Sequence, residues 1–356
     1  MSATRPTASV IIPVHDAQAT LRACLASVFA SRGVSFEVLV VDDASTDDSR
    51  AIALQFPGRV LALRSNVWAA NCRNLGARHA IGEILVFVDA DEVMPPDALA
   101  RFVAVLREHP EVDAVVGSYG ADTPMPGFFS KFKNLAHHTT HQTARREGAT
   151  LHSGLMAIRR PVFEAAGGFE PAYGPASIED IALGYRLHRQ GRRVWFRPEI
   201  QLTHLKRYTF FGLLRSDLLH RAIPWTGLML RERIWRSDLN TRSGNVASVA
   251  AAWALPLAAA LPWFREGVGW GAAGGVALVA LAGIWGLNRG LLRAGWCAFG
   301  GVFLLRSLFF LPVMYFCQGA GLLAGVAAYA LGWSVARRRE APTPVYEVLE
   351  GGRGEP

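Results

Sequence analysis

The strongest constraint on this chain is a change of composition near Arg242 to Asn245. Before it, apolar and charged residues alternate. After it, between Val246 and Trp333, charge is confined to Arg265, Glu266, Arg289, Arg293 and Arg306. Such a sequence codes for two unlike parts. Residues 246–264 and 268–287 are each long enough, as helices, to cross a bilayer core of roughly 30 Å. A third apolar region, 296–333, is too long for one span. If Arg337 to Arg339 face the cytoplasm, as the positive-inside tendency prefers, this region doubles back near Gln318-Gly-Ala-Gly321 and the count is four. The competing arrangement, an interfacial helix through Arg306 and then one span, gives three and leaves the tail outside. A buried helical core is disfavoured, because globular helices of this length carry a polar face. The boundaries that result are 1–235 for a globular domain ending in an interfacial helix, 236–245 for a linker, 246–335 for an all-α transmembrane region, and 336–356 for a cytoplasmic tail. That tail is rich in Pro, Gly and Glu and is expected to be disordered.

The formal net charge is +8, yet no basic stripe interleaved with aromatics suggests nucleic acid. The arginines flank apolar segments instead (Arg231, Arg233, Arg236, Arg242, Arg289, Arg293), where they meet anionic head groups. Cys24, Cys72, Cys297 and Cys317 form no close pair, which points to free thiols in a reducing compartment. The first apolar run, residues 8–14, is too short for a signal peptide, so the N-terminal domain is expected to stay in the cytoplasm of a cell with a multi-pass inner-membrane anchor.

Within that domain, residues 9–14 form a short, β-branched apolar run, the pattern of a strand buried on both faces of a parallel sheet. Leu21, Cys24, Leu25, Val28 and Phe29 then recur at helical spacing, and Gly33 stops the helix. Residues 36–41, 60–63 and 84–88 repeat the strand pattern, with helices at 47–55 and 69–80 between them. The alternation predicts a doubly wound α/β sheet. Further on, the sequence predicts helices at 128–143 and 178–190, strands at 150–159, 193–196 and 200–204, and a long helix at 209–233 broken by Pro224.

In a doubly wound sheet the ligand crevice lies beyond the carboxyl ends of the strands. The residues there are His15-Asp16, Asp42-Asp43-Ala-Ser-Thr-Asp47, Arg64-Ser-Asn66 and Asp89-Ala90-Asp91-Glu92, an acidic rim on a basic protein. Hard oxygen donors converging in this way suit Mg²⁺ or Mn²⁺ bridging two phosphates. An isolated Asp-x-Asp would more often be a solvated turn, but here the other strand ends agree. His137, His138 and His141 lie on one predicted helix. Without a nearby cysteine or carboxylate they fit a surface or acceptor-binding role better than a metal site.

Taken together, Val10-Ile-Ile-Pro13-Val14, Val40-Val-Asp-Asp43-Ala-Ser-Thr-Asp-Asp48, Asn66 with Arg73-Asn-Leu-Gly76, Phe87-Val-Asp89-Ala90-Asp91-Glu92, Gly167-Gly-Phe169 and Ile178-Glu179-Asp180 resemble the GT-A fold glycosyltransferases of family 2 over residues 8–235. The resemblance implies an inverting transfer from a nucleotide-sugar, a UDP-sugar in many members. It makes Asp43 the base-reading aspartate, which a carboxylate can be only toward a donating base edge; an Asx-type cap is the structural alternative. Pro13 and Val14 would line the base pocket, and Arg73 would stand near the nucleotide. Asn66 precedes Val67-Trp68 where many relatives carry a small pair. Asp91 is implied as direct metal ligand, with Asp89 on ribose or on metal through water. Asp180 is implied as the base, with Glu179 beside it, at a helix N-terminus that favours an anion. His204 is either a third metal ligand or a packed histidine. His152-Ser153-Gly154 falls where the family places an acceptor-side loop. The anchor makes a lipid or lipid-linked acceptor the expectation. A nucleotidyl transferase would show a Gly-rich basic loop after the first strand, and Pro13-Val-His-Asp-Ala17 is not one. The non-enzymatic alternative is a nucleotide-sugar-binding subunit of a membrane assembly.

Overall fold

The computed structural model describes residues 5–171, 178–234, 242–264, 269–333 and 344–352. Ser177, Arg236 with most of the linker, and Arg337 to Arg339 lie outside them. The elements are β1 (Ala8–Val14), α1 (Leu21–Phe29), β2 (Phe36–Asp42), α2 (Ser49–Ala53), β3 (Arg59–Leu63), α3 (Trp68–His79), β4 (Ile84–Val88), β5 (Glu92–Val93), α4 (Ala98–Glu108), β6 (Ala114–Tyr119), α5 (Phe128–Gln142), β7 (Leu155–Arg159), α6 (Arg160–Ala165), α7 (Glu179–Arg189), β8 (Val194–His204), α8 (Phe210–Arg215), α9 (Ile223–Glu232), α10 (Ser243–Phe264), α11 (Trp270–Leu287), α12 (Arg289–Ala330) and β9 (Tyr346–Glu350). They divide into two compact units, residues 1–123, 144–206 and 336–356 in one, and residues 124–143 and 207–335 in the other.

The first unit is built on one sheet in the order β5-β8-β6-β7-β4-β1-β2-β3-β9. The expected parallel core is there: β1 pairs in parallel with β2 and β4, and β2 with β3. Its residues are buried on both faces, which is why the runs read as continuously apolar. The chain leaves β1 toward β2 and β3 and returns to β4 on the other side of β1. This reversal opens a crevice beyond the carboxyl ends of β1 and β4.

Two expectations at the sheet are corrected. The two short strands expected at 193–196 and 200–204 are one strand, β8, because the partner β6 shifts register between Val116 and Ser118 and so accommodates Pro198 within β8. The tail is not wholly disordered: Tyr346–Glu350 pairs antiparallel with the edge strand β3. An exposed edge needs only a few alternating residues to be capped, and Tyr346 anchors the pairing through a 2.8 Å hydrogen bond between its hydroxyl and His79 Nε2.

In the second unit, Phe128, Phe129, Phe132, Phe210 and Phe310 form a ring cluster joining α5, α8 and α12. The long helix expected at 209–233 is α8, a π-helical segment Ser216–Ala222, and α9. The wider turn falls just before Pro224, which cannot donate an α-helical hydrogen bond. Lys133 Nζ and Asp217 pair at 2.6 Å inside this unit. Among the described residues three helices, α10, α11 and α12, are long and apolar enough to cross a membrane. Leu278, Val279, Val302 and Phe309 are 67–74% exposed on them, a surface suited to lipid rather than water.

The hairpin expected at Gln318 to Gly321 is absent: α12 runs straight through it, and its only non-helical residue is Gly300. The glycines there serve close packing instead. A Cβ at Gly319 would stand 2.1 Å from Trp253, at Gly321 2.4 Å from Ala222, and at Gly325 2.6 Å from Thr226. Small residues at this spacing let helices approach, and sequence alone does not tell that use from a turn.

Candidate active site

The crevice is walled by loops stitched to one another. Asp16 accepts from Thr46 N at 2.7 Å, Asp47 from Gln18 N at 3.0 Å, and Asp42 holds Arg50 at 2.7 Å, so these three acids are structural. Asp43 is buried. Its two oxygens accept from the backbone N–H groups of Val67 and Trp68 at 2.6 and 2.9 Å, so it caps the approach to α3. Burial raises its carboxyl, offset in part by those two hydrogen bonds. Asp42 accepts from Ser45 N at 3.1 Å within its own loop, while Asp43 reaches across to α3. Pro13 and Val14 lie beside this point at the end of β1, and Asn66 precedes it with its buried Oδ1 lacking a hydrogen-bond partner among the described residues.

Trp68 has φ +71°, the left-handed region where a glycine is at ease. The indole is 42% exposed, so it contributes little burial. Trp68→Gly is expected to raise the unfolding free energy by up to about 1 kcal/mol. Denaturant titration checks it, and a destabilisation would show that the indole holds the loop.

Arg73, on α3, lies at the centre. Nη2 donates to Asp89 Oδ1 at 2.6 Å and Nη1 to Glu179 Oε1 at 3.0 Å, while the guanidinium lies 5.5 Å over the Phe169 ring. Its side chain is 4% exposed. Burial alone would lower it, but the Asp89 and Glu179 charges more than compensate and hold it firmly cationic. Asn74 locks the same corner, donating to Phe169 O at 2.8 Å and accepting from Phe169 N at 2.9 Å. The Arg73-Asn74 and Gly167-Gly-Phe169 motifs are thus one structural knot, and the guanidinium fork expected near the nucleotide is filled by carboxylates.

Asp89 and Asp91 follow β4, with Ala90 between them. Burial would raise the Asp91 carboxyl, but the hydrogen bond and charge of His204, with Lys206 beyond, outweigh it and hold it at about 2. His204 comes within 3.7 Å of Asp91 because β5 and β8 pair with Glu92 opposite His204. No group of three or more His, Cys, Asp or Glu side chains among the described residues forms a ready cage for a metal. The donor set present, an ionised carboxylate beside an imidazole with Asp89 adjacent, fits a divalent cation that takes its other ligands from a diphosphate and water. His137 and His141 lie on α5 in the second unit, and burial, then Arg221 and His138, lowers His141 to about 4.

Asp180 opens α7. Its Oδ1 accepts from Ile181 N at 2.8 Å and its Oδ2 from Ser153 N at 3.1 Å. Gly154, next along, must lack a side chain: a Cβ there would fall 2.2 Å from Glu92 Oε1 and 3.1 Å from Asp89 Oδ2. Sequence reasoning missed Tyr119, whose hydroxyl donates to buried Glu92 at 2.8 Å. The only signal was a polar aromatic closing a buried strand at the sheet's carboxyl side.

Residues 9–167 match the sequence profile of Glycosyl transferase family 2. Over 214 residues the chain is 32% identical to an uncharacterized glycosyltransferase of Haemophilus influenzae, covering 59% of this chain and 71% of that protein. It is 29% identical over 166 residues to an undecaprenyl-phosphate 4-deoxy-4-formamido-L-arabinose transferase of an Enterobacter species, covering 44% of this chain and 50% of that one. It is 28% identical over 114 residues to a UDP-Glc:alpha-D-GlcNAc-diphosphoundecaprenol beta-1,3-glucosyltransferase of Escherichia coli, covering 31% and 45%. The chain thus spans about half the length of these last two relatives. The fold is similar to that of a mannosyltransferase from Pyrobaculum calidifontis, at 20% identity and TM-score 0.52 over 93% of this chain and 88% of that one.

Proposed function

Because the chain belongs to glycosyl transferase family 2, with a GT-A-like domain and a helical C-terminal region, we propose that it transfers a sugar with inversion from a UDP-sugar to a lipid or lipid-linked acceptor at the cytoplasmic face of a membrane. One observation carries the reading: Arg73 bridges Asp89, at the acidic strand end, to Glu179, the neighbour of Asp180. Donor site and base therefore share one cleft. The relatives named for undecaprenyl-linked substrates support the acceptor class, and the apolar helices would keep the site beside it.

In this mechanism Pro13, Val14, Asp43 and Asn66 receive the nucleoside, with Asn66 Oδ1 free to accept a donor from it. Asp91, with His204 and Asp89 beside it, would hold Mg²⁺ or Mn²⁺, which supplies positive charge to the diphosphate when bound. Arg73 fixes the spacing between Asp89 and α7. Asp180, oriented by two backbone N–H groups, takes the proton of the acceptor hydroxyl as that oxygen forms its bond to the anomeric carbon. The bond from that carbon to the diphosphate breaks on the opposite face. The test is nucleoside diphosphate release by the purified full-length protein from UDP-glucose, UDP-N-acetylglucosamine and GDP-mannose, with and without EDTA. Loss of turnover in EDTA and its return with Mn²⁺ are expected; undiminished turnover in EDTA would remove the metal from Asp91.

The returning strand β9 bears on topology. It is hydrogen-bonded to β3 in the catalytic sheet, so residues 346–350 lie on the same side of the membrane as the site. On this reading the chain between them crosses an even number of times, and one of the three long apolar helices found among the described residues does not span. A C-terminal fluorescent-protein fusion is expected to fluoresce, and a C-terminal alkaline phosphatase fusion to be inactive. An active phosphatase would mean that β9 does not reach the sheet in the membrane-inserted protein.

A further inference from the structure

Behind the base runs a chain of side chains that substrate binding and proton abstraction leave unused. Glu92 is fully buried and fixed at both oxygens: Oε2 accepts from Asp89 N at 3.2 Å and Oε1 from the Tyr119 hydroxyl at 2.8 Å. Having given its only proton to Glu92, the Tyr119 oxygen accepts from His152 Nε2, which is hydrogen-bonded to it. This puts the proton on Nε2 and leaves the unprotonated Nδ1 4.0 Å from Asp180 Oδ2, too far for a hydrogen bond, so the hold on the base passes through the backbone that follows His152. The rings leave little freedom. Tyr119 is stacked on His204 at 4.6 Å and 15°, and meets His152 edge-on at 5.0 Å and 67°. The residue after His152 donates its N–H to that same Asp180 oxygen. Gly154 then closes against Glu92 so tightly that no Cβ fits.

We propose that His152 is a positioning residue for Asp180, and that the Glu92–Tyr119–His152 chain fixes the base relative to the acidic end of β4. The inference rests on Asp180 being the base. Glu92 follows Asp91 directly, Tyr119 lies on β6 and His152 precedes β7, so three separate elements converge on one carboxylate. Such convergence suits a group that must hold one geometry while the acceptor hydroxyl is attacked; a displacement of about 1 Å at this point costs roughly 100-fold in rate. A loop that only bound acceptor would need no buried acid at its root.

The experiment measures nucleoside diphosphate release by full-length protein in detergent, with water as acceptor and with whichever of UDP-glucose, UDP-N-acetylglucosamine and GDP-mannose the wild type consumes fastest. His152→Ala is expected to lower kcat by roughly 10- to 100-fold with the donor KM within about twofold of wild type. Tyr119→Phe should act in the same direction more weakly, and His152→Gln, whose amide can still donate to the Tyr119 oxygen, should recover part of the rate. The decisive comparison is a double-mutant cycle: once Asp180→Asn has removed the base, adding His152→Ala should change the residual rate by less than about twofold. A further full drop in that background, an unchanged kcat in His152→Ala, or a raised donor KM with normal kcat would each overturn the positioning role. Undiminished turnover in Asp180→Asn alone would instead overturn the assignment of the base.

Discussion

Asp180→Asn should lower turnover by roughly 10²- to 10⁴-fold, the range for loss of a positioned general base, while leaving donor binding intact. Asparagine keeps a carbonyl oxygen that can accept from Ile181 N or Ser153 N, the two groups that hold the aspartate. The loop and α7 should therefore stay in place, and the loss should appear in kcat. Steady-state kinetics with donor titration check it. A rise in donor KM with unchanged kcat would make Asp180 a binding residue. Glu179 cannot substitute as base, because its Oε1 accepts from buried Arg73 and its side chain is 6% exposed.

The second large effect concerns Arg73. Arg73→Met removes the shared cation and leaves Asp89 and Glu179 facing one another across a buried gap. Removing one partner of a buried ion pair costs roughly 3–5 kcal/mol, and the lower end applies because Asp89 is 32% exposed and partly screened by water. A loss of about 3 kcal/mol in unfolding free energy is expected, with turnover falling as the Asp89 and α7 sides separate. Arg73→Lys should rescue little, since a point charge cannot span two carboxylates as a planar fork does. Adding Glu179→Gln to Arg73→Met should recover part of the stability by removing one stranded charge. Chemical denaturation of the three variants decides it; no loss in Arg73→Met would mean the ion pairs contribute no net stability.

The parallel core and the acidic strand end were legible because burial on both faces writes itself as continuous apolar runs, and because polar residues after such runs have one place to go. Asp89, Asp91, Glu179 and Asp180 could be read one by one from motif and position. What joined them could not. Arg73 reads as an arginine on a helix, and nothing local says that its fork is filled by residues 16 and 106 positions away. Tyr119 carries no motif and His152 reads only as part of an acceptor-side loop, and only the sheet order, which sets β6 and β7 between β8 and β4, brings them to Glu92. The tail strand was hidden because five residues capping a sheet edge leave little periodicity. The glycines of α12 were misread because a notch for a neighbouring helix and a turn are spelled with the same residue.

The proposed transfer depends most directly on a nucleotide-sugar being held through a divalent cation at Asp91. Thermal unfolding of the full-length protein with UDP-glucose, UDP-N-acetylglucosamine or GDP-mannose, in Mn²⁺ and in EDTA, for wild type and Asp91→Asn, measures that. The expected result is stabilisation of the wild type by one donor in Mn²⁺ only, rising with donor concentration, and its loss in Asp91→Asn. Equal stabilisation in EDTA, or an Asp91→Asn variant that responds to Mn²⁺ and donor like the wild type, would contradict it.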